Sequence, residues 1–215
     1  MRAKPAKKSH GSPSAKPVSR GAPVVEDILS ATIEELARVG YGALRIEDVA
    51  ARAGVHKTTI YRRYPAKQEL VTAALRQQFD ENIQVPNTGA LREDLLELAT
   101  ALSNYFCSAG GRALSRLIML ERQAGMGELA GIVDTLRCER DTIPKQVFRM
   151  AVQRGEVDAD LDPQLFMVTL IGSLHYQLVK SGQRPTKKWL VSLVDLLING
   201  VLCRVSQAPG SPEAE

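Results

Sequence analysis

The sequence predicts an all-α protein in which an N-terminal helix-turn-helix domain is joined by a connecting helix to a C-terminal helical domain. Three observations predict this fold. Apolar residues recur at helical spacing through most of the chain, and no convincing alternating pattern of a half-buried strand is seen. Residues 45–64 place a helix, a glycine turn and a second, basic helix within a short segment. With 215 residues, 44% of them apolar, the chain is long enough for one large domain or two small ones.

Residues 1–22 form the first predicted segment, a tail with six Lys or Arg and no acidic residue. The tail is rich in Lys, Pro, Ser and Gly and has no apolar period, so we expect it to be disordered. Two interpretations stay open: a solubilising leader, or a basic arm that reaches along DNA. It lacks the apolar segment of a signal peptide, and a cytoplasmic protein is expected. A second disordered tail is predicted at residues 207–215.

The predicted DNA-binding domain spans residues 23–80 and begins with a helix that ends near Gly40. The second helix is amphipathic, and Gly54 then permits a tight turn because glycine tolerates positive φ. The predicted buried positions of the first helix are Val25, Ile28, Leu29, Thr32, Leu36 and Val39, and those of the second are Ile46, Val49, Ala50 and Ala53.

The third helix is predicted from Lys57 to Tyr64 and is the candidate reading helix. It ends before Pro65, which cannot continue a helix. Thr58, Thr59 and Arg62 are expected to face base edges, because a threonine methyl suits thymine and an arginine suits guanine. A fourth helix, from Ala66 to about Phe79, connects this domain to the rest of the chain. The alternative for residues 45–64 is a basic, solvated hairpin within some other helical bundle.

The N-terminal part of the chain resembles the TetR family of bacterial transcriptional regulators over about residues 24–80. The residues that carry the resemblance are Gly40-Tyr41, Ile46 to Gly54, Val55 to Tyr64, Pro65, Lys67, Glu69 and Leu70. The C-terminal half resembles the family through its helix layout and through Ile171 to Leu178. The resemblance implies that this half binds a small molecule and forms a dimer. It also implies phosphate contacts from Lys57, Tyr61, Arg63 and Lys67.

Three helix N-termini depart from the family pattern. Arg45, His56 and Ala66 stand where the family commonly has Thr or Ser. None is a strong N-cap, and loss of a cap costs about 1 kcal/mol. Arg45 and a cationic His56 are predicted to contact phosphates instead, the alternative being that both point into solvent.

The C-terminal domain is predicted at residues 81–206, after the linker Pro86 to Gly89. Five helices are expected, at about 91–108, 112–124, 128–153, 164–180 and 186–205. The last two have broad apolar faces, which a twofold axis would assemble into a four-helix bundle; the alternative is that they only close the monomer core. The two faces consist of Leu165, Val168, Thr169, Gly172 and Tyr176, and of Trp189, Leu193, Leu196, Leu197 and Gly200.

Pro144 is predicted to kink the third of these helices and so to open space for a ligand. Each residue expected near this cavity could instead be ordinary core, and His175 in particular needs a polar partner. A cavity lined in this way favours an apolar or aromatic effector. The predicted ligand-binding residues are Tyr105, Phe106, Met119, Phe148, Met150, His175 and Tyr176.

The sequence gives little support to enzymatic chemistry. It has no metal-ligand cluster, phosphate-binding glycine loop or nucleophile elbow, so no catalytic residue, cofactor or metal is expected. Its three cysteines are far apart, which fits neither a disulfide framework nor a metal site. The predicted function is a homodimeric repressor that a small, largely apolar effector releases from a palindromic operator. The alternative is a constitutive or protein-controlled DNA-binding regulator without an effector. No membrane association is expected.

Overall fold

The computed structural model describes residues 22–124 and 127–202, and within these ranges the chain forms helices and no strand. The predicted all-α class is therefore confirmed. The predicted tails, apart from Ala22, lie outside the described residues. The helices are α1 (Ala22–Ala43), α2 (Ile46–Arg52), α3 (Lys57–Tyr61), α4 (Lys67–Asn82), α5 (Leu91–Cys107), α6 (Ala109–Ala124), α7 (Gly127–Arg140), α8 (Thr142–Gln153), α9 (Pro163–Ser181) and α10 (Lys187–Leu202).

Helix α1 covers the α2–α3 hairpin with the apolar face that the sequence predicts. Ile28 and Leu36 are fully or almost fully buried, and the buried Thr32 donates its hydroxyl to the Ile28 carbonyl oxygen at 2.7 Å. Gly40 has φ 75° and ψ 172°, which interrupts α1 where the first helix was predicted to end. The chain then bends so that Tyr41 is buried.

The α2–α3 hairpin follows the prediction, with one difference in length. Ile46, Val49 and Ala50 are buried, and Gly54 has the positive φ, 65°, that the turn requires. Helix α3 ends at Tyr61 and not at Tyr64 as predicted. Helical hydrogen bonding nevertheless persists, because the Tyr64 amide donates to the Ile60 carbonyl oxygen at 2.9 Å.

The prediction of one long helix over residues 128–153 is wrong. The chain forms α7 and α8 there, separated at Asp141. Pro144 lies in the first turn of α8, where amide groups have no intrahelical acceptor, so its missing N–H costs no helix hydrogen bond. Pro144 therefore lies at the start of α8 and does not kink a longer helix.

The two halves of the chain join through α1, α4, α6 and α7. Helix α6 packs against α1, and α4 packs against α1, α6 and α7. Arg116 of α6 donates to the Ala37 carbonyl oxygen of α1 at 3.0 Å. Helix α6 also starts close to the end of α5, since a Cβ at Gly111 would lie 2.0 Å from the Tyr105 carbonyl oxygen. Helices α4 and α6 thus both contact the helix that covers the hairpin.

Among the helices of residues 22–124 and 127–202, none is both long and apolar enough to span a bilayer.

Candidate nucleic-acid interface

The candidate interface is the outer surface of the α2–α3 hairpin. Ile60 is completely buried and holds α3 on the core, so the other sides of this helix face outward. Thr59 is half-buried beside Ile60. The structure brings together on this surface the exposed predicted residues Arg45, His56, Lys57, Thr58, Tyr61, Arg62 and Arg63.

His56 caps the N-terminus of α3, which corrects the expectation from the sequence. Its side chain accepts a hydrogen bond from the Thr58 amide, with Nδ1 3.4 Å from the nitrogen, and the same Nδ1 is 2.9 Å from Thr58 Oγ1. A ring nitrogen that accepts a hydrogen bond carries no proton, so this cap requires Nδ1 to be unprotonated. Arg45 and Ala66, in contrast, make no capping hydrogen bond through their side chains, as expected.

Two of the predicted phosphate-contacting lysines have partners within the chain. Lys57 Nζ lies 3.5 Å from Glu47 Oε1, and both side chains are about half exposed. Lys67 Nζ donates to the Tyr41 carbonyl oxygen at 3.1 Å and lies 4.4 Å from the centre of the Tyr41 ring. Lys67 thus links α4 to the part of α1 that follows its interruption at Gly40, and its phosphate contact stays a prediction.

A buried carboxylate, which the sequence reasoning missed, lies behind the hairpin. Glu35 is 1% exposed and accepts hydrogen bonds from Arg38 Nε at 3.1 Å and from Arg52 Nη2 at 3.3 Å. The hydrogen bond from Arg38 is the main reason that the pKa of Glu35 is lowered, and it outweighs the effect of burial. The contact joins residues 17 positions apart, so no local sequence pattern indicates it.

Arg62 and Arg63 differ from these paired cations. Both are exposed, and neither side chain makes a salt bridge to another described residue. Together with Arg45, which is also exposed and in no salt bridge to another described residue, they are the guanidinium groups of the hairpin that can contact DNA without first leaving a partner. A guanidinium can bind guanine or phosphate through two parallel hydrogen bonds.

Two adjoining cavities lie beside the C-terminal half of α4. One, of about 100 Å³, and the other, of about 280 Å³, share Phe79, Ile83 and Ile143. Pro144 lines the smaller cavity, as predicted. The helix kink that was predicted to open this cavity is absent, because Pro144 lies in the first turn of α8. The smaller cavity is otherwise lined by Leu98, Leu102, Asp141, Gln164, Met167, Val168 and Ile171.

The structure distributes the predicted ligand-binding residues over several places, and their role stays a prediction. Tyr105 and Phe106 are buried in α5, while Met119 and Tyr176 are 62% and 67% exposed. Phe148 lines a separate cavity of about 420 Å³ between α5, α8, α9 and α10. Met150 is half-buried in α8.

His175 has the partners that a histidine in an apolar helix needs. Its ring centre lies 4.1 Å from that of Phe106, and Nε2 is 3.5 Å from Ser115 Oγ. These contacts fit the interpretation of His175 as a satisfied core residue that ties α9 to α5 and α6.

Helix α9 presents an apolar face that the described chain leaves uncovered. Leu165, Val168 and Val179 are 66%, 61% and 77% exposed, and Leu196 of α10 is 70% exposed. Gly172 and Gly200 have no atom within 4 Å of an added Cβ. Leu193, predicted on the apolar face of the last helix, is buried in its own chain, which agrees with the alternative that this part of the face closes the monomer core. Trp189 and Leu197 are half-buried.

Comparison with known protein families gives two matches along the chain. The model described as bacterial regulatory proteins, tetR family, matches residues 28–74. The model described as the tetracyclin repressor-like C-terminal domain matches residues 85–197. The first match includes the whole hairpin, and the second includes α5 to α9 and most of α10.

Individual relatives agree with the family matches. The HTH-type transcriptional regulator AqdR of Rhodococcus erythropolis is 30% identical over 193 residues, which is 88% of this chain and 90% of AqdR. RutR of Escherichia coli K12 is 34% identical over 152 residues, 66% of this chain and 68% of RutR.

Solved structures of similar fold include a regulator of the same family. The TetR family regulator SCO0332 has a TM-score of 0.66 and 28% identity, covering 83% of this chain and 98% of its own. FadR of Bacillus subtilis, solved with stearoyl-CoA, has a TM-score of 0.61 and 20% identity, covering 82% of this chain and 96% of its own.

Proposed function

Because the chain belongs to the TetR family of bacterial transcriptional regulators and is a DNA-binding regulator, we propose that it is a homodimeric repressor. In this proposal it leaves a palindromic operator when a small, largely apolar effector binds the C-terminal domain. One observation carries the proposal: α4 follows the reading helix directly and also lines both cavities near its C-terminal end.

For the DNA contacts, the exposure of the hairpin supports the division predicted from the sequence. Thr58, Thr59 and Arg62 read base edges, with Thr59 reaching DNA from its half-buried position. The phosphate contacts that set the register come from Arg45, His56, Lys57, Tyr61, Arg63 and Lys67.

For the dimer, the uncovered face of α9 is the main support. Isolated exposed apolar residues are common, but Leu165, Val168, Tyr176 and Val179 recur at helical spacing along one helix. A second copy related by a twofold axis would cover this face with the same residues. The dimer would also give each operator two reading helices about one turn of DNA, roughly 34 Å, apart.

For the effector, the wall of the smaller cavity beside α4 supports an apolar group, whereas the larger cavity also presents Arg76, Asp80, Gln84, Thr142 and Gln146 to a polar group of the same molecule. Leu98, Leu102, Met167 and Ile171 supply most of the wall of the smaller cavity. The fold itself can hold an acyl compound, since its neighbour FadR of Bacillus subtilis was solved with stearoyl-CoA. A ligand between α4 and α8 would tilt α4 and so change the separation of the two reading helices without unfolding either one.

The test combines thermal shift with DNA release, using a series of fatty acids and their acyl-CoA thioesters as probes. An effector should raise the Tm, because it binds the folded state, and should also release operator DNA. Ile143→Trp, which puts a larger side chain into the wall that the two cavities share, should reduce both effects, whereas Val152→Trp, on the same helix but outside these cavity walls, should not. A Tm shift without DNA release, or no shift with any probe, would contradict effector-controlled repression by this class of molecule.

A further inference from the structure

The turn between α9 and α10 carries a cluster of basic residues that has no acidic neighbour in the sequence. Residues 163–194 contain four Lys or Arg and no Asp or Glu, and all four lie within residues 180–188. Each is exposed, and none forms a salt bridge to another described residue. This basic turn consists of Lys180, Arg184, Lys187 and Lys188.

The backbone of the basic turn is held at both helix ends. Gly182 ends α9 with φ 63°, and its amide donates to the Leu178 carbonyl oxygen at 2.9 Å. Pro185 is buried. At the start of α10, Thr186 Oγ1 accepts a hydrogen bond from the Trp189 amide at 3.2 Å. The turn therefore presents its cations from a defined backbone.

Two of these cations stand where they do not favour the helix. Lys187 and Lys188 lie in the first turn of α10, which contains no acidic residue. The helix macrodipole favours anions at this end and disfavours cations. Binding to an anionic partner therefore explains the position of the two lysines better than folding stability does.

Contacts along α9 identify the end of the C-terminal domain that the basic turn occupies. Near the start of α9, Phe166 lines a cavity together with Leu91, the first residue of α5. Further along, the ring of His175 lies 4.1 Å from that of Phe106, near the end of α5. Helix α9 therefore runs parallel to α5, and the basic turn lies at the same end of the domain as the C-terminus of α5.

This end of the C-terminal domain adjoins the DNA-binding domain. His175 Nε2 lies 3.5 Å from Ser115 Oγ of α6, and the next residue, Arg116, donates to the Ala37 carbonyl oxygen of α1 at 3.0 Å. Lys180 follows His175 by five residues, about 8 Å along the helix axis. The basic turn therefore projects from the side of the C-terminal domain on which α1 and the α2–α3 hairpin lie.

We propose that the basic turn is a second DNA-contacting surface, whose cations bind phosphates between the two half-sites read by α3. This inference rests on the proposed function. Two copies joined through the uncovered face of α9 would bring their basic turns close to the twofold axis, between the two hairpins. Phosphate contacts of this kind add affinity and carry no sequence information. DNA is favoured over other polyanions because the hairpin holds it on this same side of the molecule.

The test compares the salt dependence of DNA binding between two matched variants of the full-length protein. The turn variant is Arg184→Gln/Lys187→Gln. The control is Lys145→Gln/Arg149→Gln, which removes one Lys and one Arg from exposed positions of α8. The control positions flank Phe148, which lines a cavity with Leu91 and so lies at the opposite end of the domain. The probes are a duplex selected from a random pool and a mixed-sequence duplex of the same length.

The turn variant should show a shallower slope of log affinity against log salt on both duplexes, by about 0.9 for each phosphate contact that is lost. Its Tm should be no lower than that of the wild type, because the substitution removes a cation from the first turn of α10. The control should keep the wild-type slope. On a selected duplex with uncharged methylphosphonate linkages between the half-sites, the wild type and the turn variant should have equal slopes.

An unchanged slope in the turn variant, or an equal reduction in the control, would overturn the proposal. A slope difference that persists on the methylphosphonate duplex would also overturn it, because the contacts would then lie elsewhere on the DNA. Loss of binding to phosphatidylserine vesicles without any change on DNA would identify a membrane as the partner instead. If the wild type prefers neither duplex but the turn variant still has the shallower slope, the operator proposal fails and the contact of the basic turn with DNA stands.

Discussion

Arg52, the last residue of α2, donates a hydrogen bond from Nη2 to Oε2 of Glu35 on α1, at 3.3 Å. Glu35 is 1% exposed, and its other carboxylate oxygen lies 2.5 Å from Arg38 Nη2. The pair joins the helix that covers the hairpin to the helix that leads into the reading helix. It therefore helps to fix the orientation of α3 relative to the rest of the chain.

Replacing Glu35 should destabilise the protein much more than replacing its neighbour. We expect Glu35→Ala to cost about 2 to 4 kcal/mol, somewhat below the full range for a broken buried pair because Arg38 and Arg52 are partly exposed. Glu34 also pairs with Arg52, at 3.0 Å, but is 60% exposed. Glu34→Ala should cost less than about 1 kcal/mol. Urea unfolding of both variants measures the difference. Equal decreases in the free energy of unfolding would show that the burial of Glu35 does not make its ion pair with Arg52 stronger than that of Glu34.

Acid should destabilise the protein through Glu35 and Asp94. Burial acts to raise the pKa of Asp94, but hydrogen bonds from Thr88 and Arg154 outweigh it, so this pKa is lowered from 3.8, as that of Glu35 is from 4.5. A carboxyl whose pKa is lower in the folded state adds stability above its unfolded pKa, and this stability is lost as the pH falls through the folded value. Below about pH 4.5 the free energy of unfolding should therefore decrease.

The matched variant for this pH dependence is Asp94→Asn. It should be less stable than the wild type at neutral pH and should lose less of its remaining stability on acidification. Urea unfolding at a series of pH values provides the measurement. If the free energy of unfolding changes with pH by the same amount in both proteins, Asp94 does not contribute to the loss of stability in acid.

Arg62→Ala should weaken operator binding by about 1 to 3 kcal/mol and relax the preference at one base pair of each half-site. Arg63→Ala should weaken binding to operator and unrelated DNA alike, because phosphate contacts carry no sequence information. Competition binding against single-base variants of the operator distinguishes the two effects. Uniform weakening by Arg62→Ala would place Arg62 among the phosphate contacts.

Glu47→Gln should strengthen DNA binding. The substitution removes the carboxylate charge that lies 3.5 Å from Lys57 Nζ. The ammonium group of Lys57 can then bind a phosphate without a competing carboxylate. Because Lys57 then contacts its phosphate without competition from Glu47, the slope of log affinity against log salt should become steeper, by at most about 0.9. In the double variant Glu47→Gln/Lys57→Gln this gain should disappear. A gain that persists without Lys57 would point to general repulsion between Glu47 and DNA.

Val168→Asp should convert the proposed dimer into a monomer. The substitution places a charge in the middle of the uncovered α9 face, where burial against a second copy would leave it unpaired. Lys145→Asp, at an exposed position of α8, is the control. Analytical ultracentrifugation should show a monomer only for the first variant. If Val168→Asp sediments as the wild type does, the dimer uses another surface.

The sequence predicted the hairpin well because local rules determine it. The spacing of Ile46, Val49 and Ala50 and the glycine at position 54 specify the helix, the turn and the buried side without reference to the rest of the chain. The cap on α3 was missed because histidine is not among the common N-cap residues, although Nδ1 of His56 can accept the Thr58 amide.

The C-terminal domain was harder to predict because tertiary packing determines it. The composition around Pro144 could not distinguish a kinked helix from two helices, since proline is compatible with both. Helical periodicity placed Leu193 on the apolar face of the last helix but could not tell what covers that face; α10 packs against α5 and Leu193 is buried within its own chain. The pairing of Glu35 with Arg52 joins residues 17 positions apart, and no periodicity reveals such a contact.

Selection of bound sites from random duplex DNA, with the full-length protein, tests whether a dimer reads DNA with α3. We expect an enriched palindrome whose two half-sites lie about one helical turn, roughly 34 Å, apart, and in which Arg62→Ala weakens the preference at one position of each half-site. Enrichment of a single half-site, or of no sequence, would contradict a dimer that reads DNA with α3.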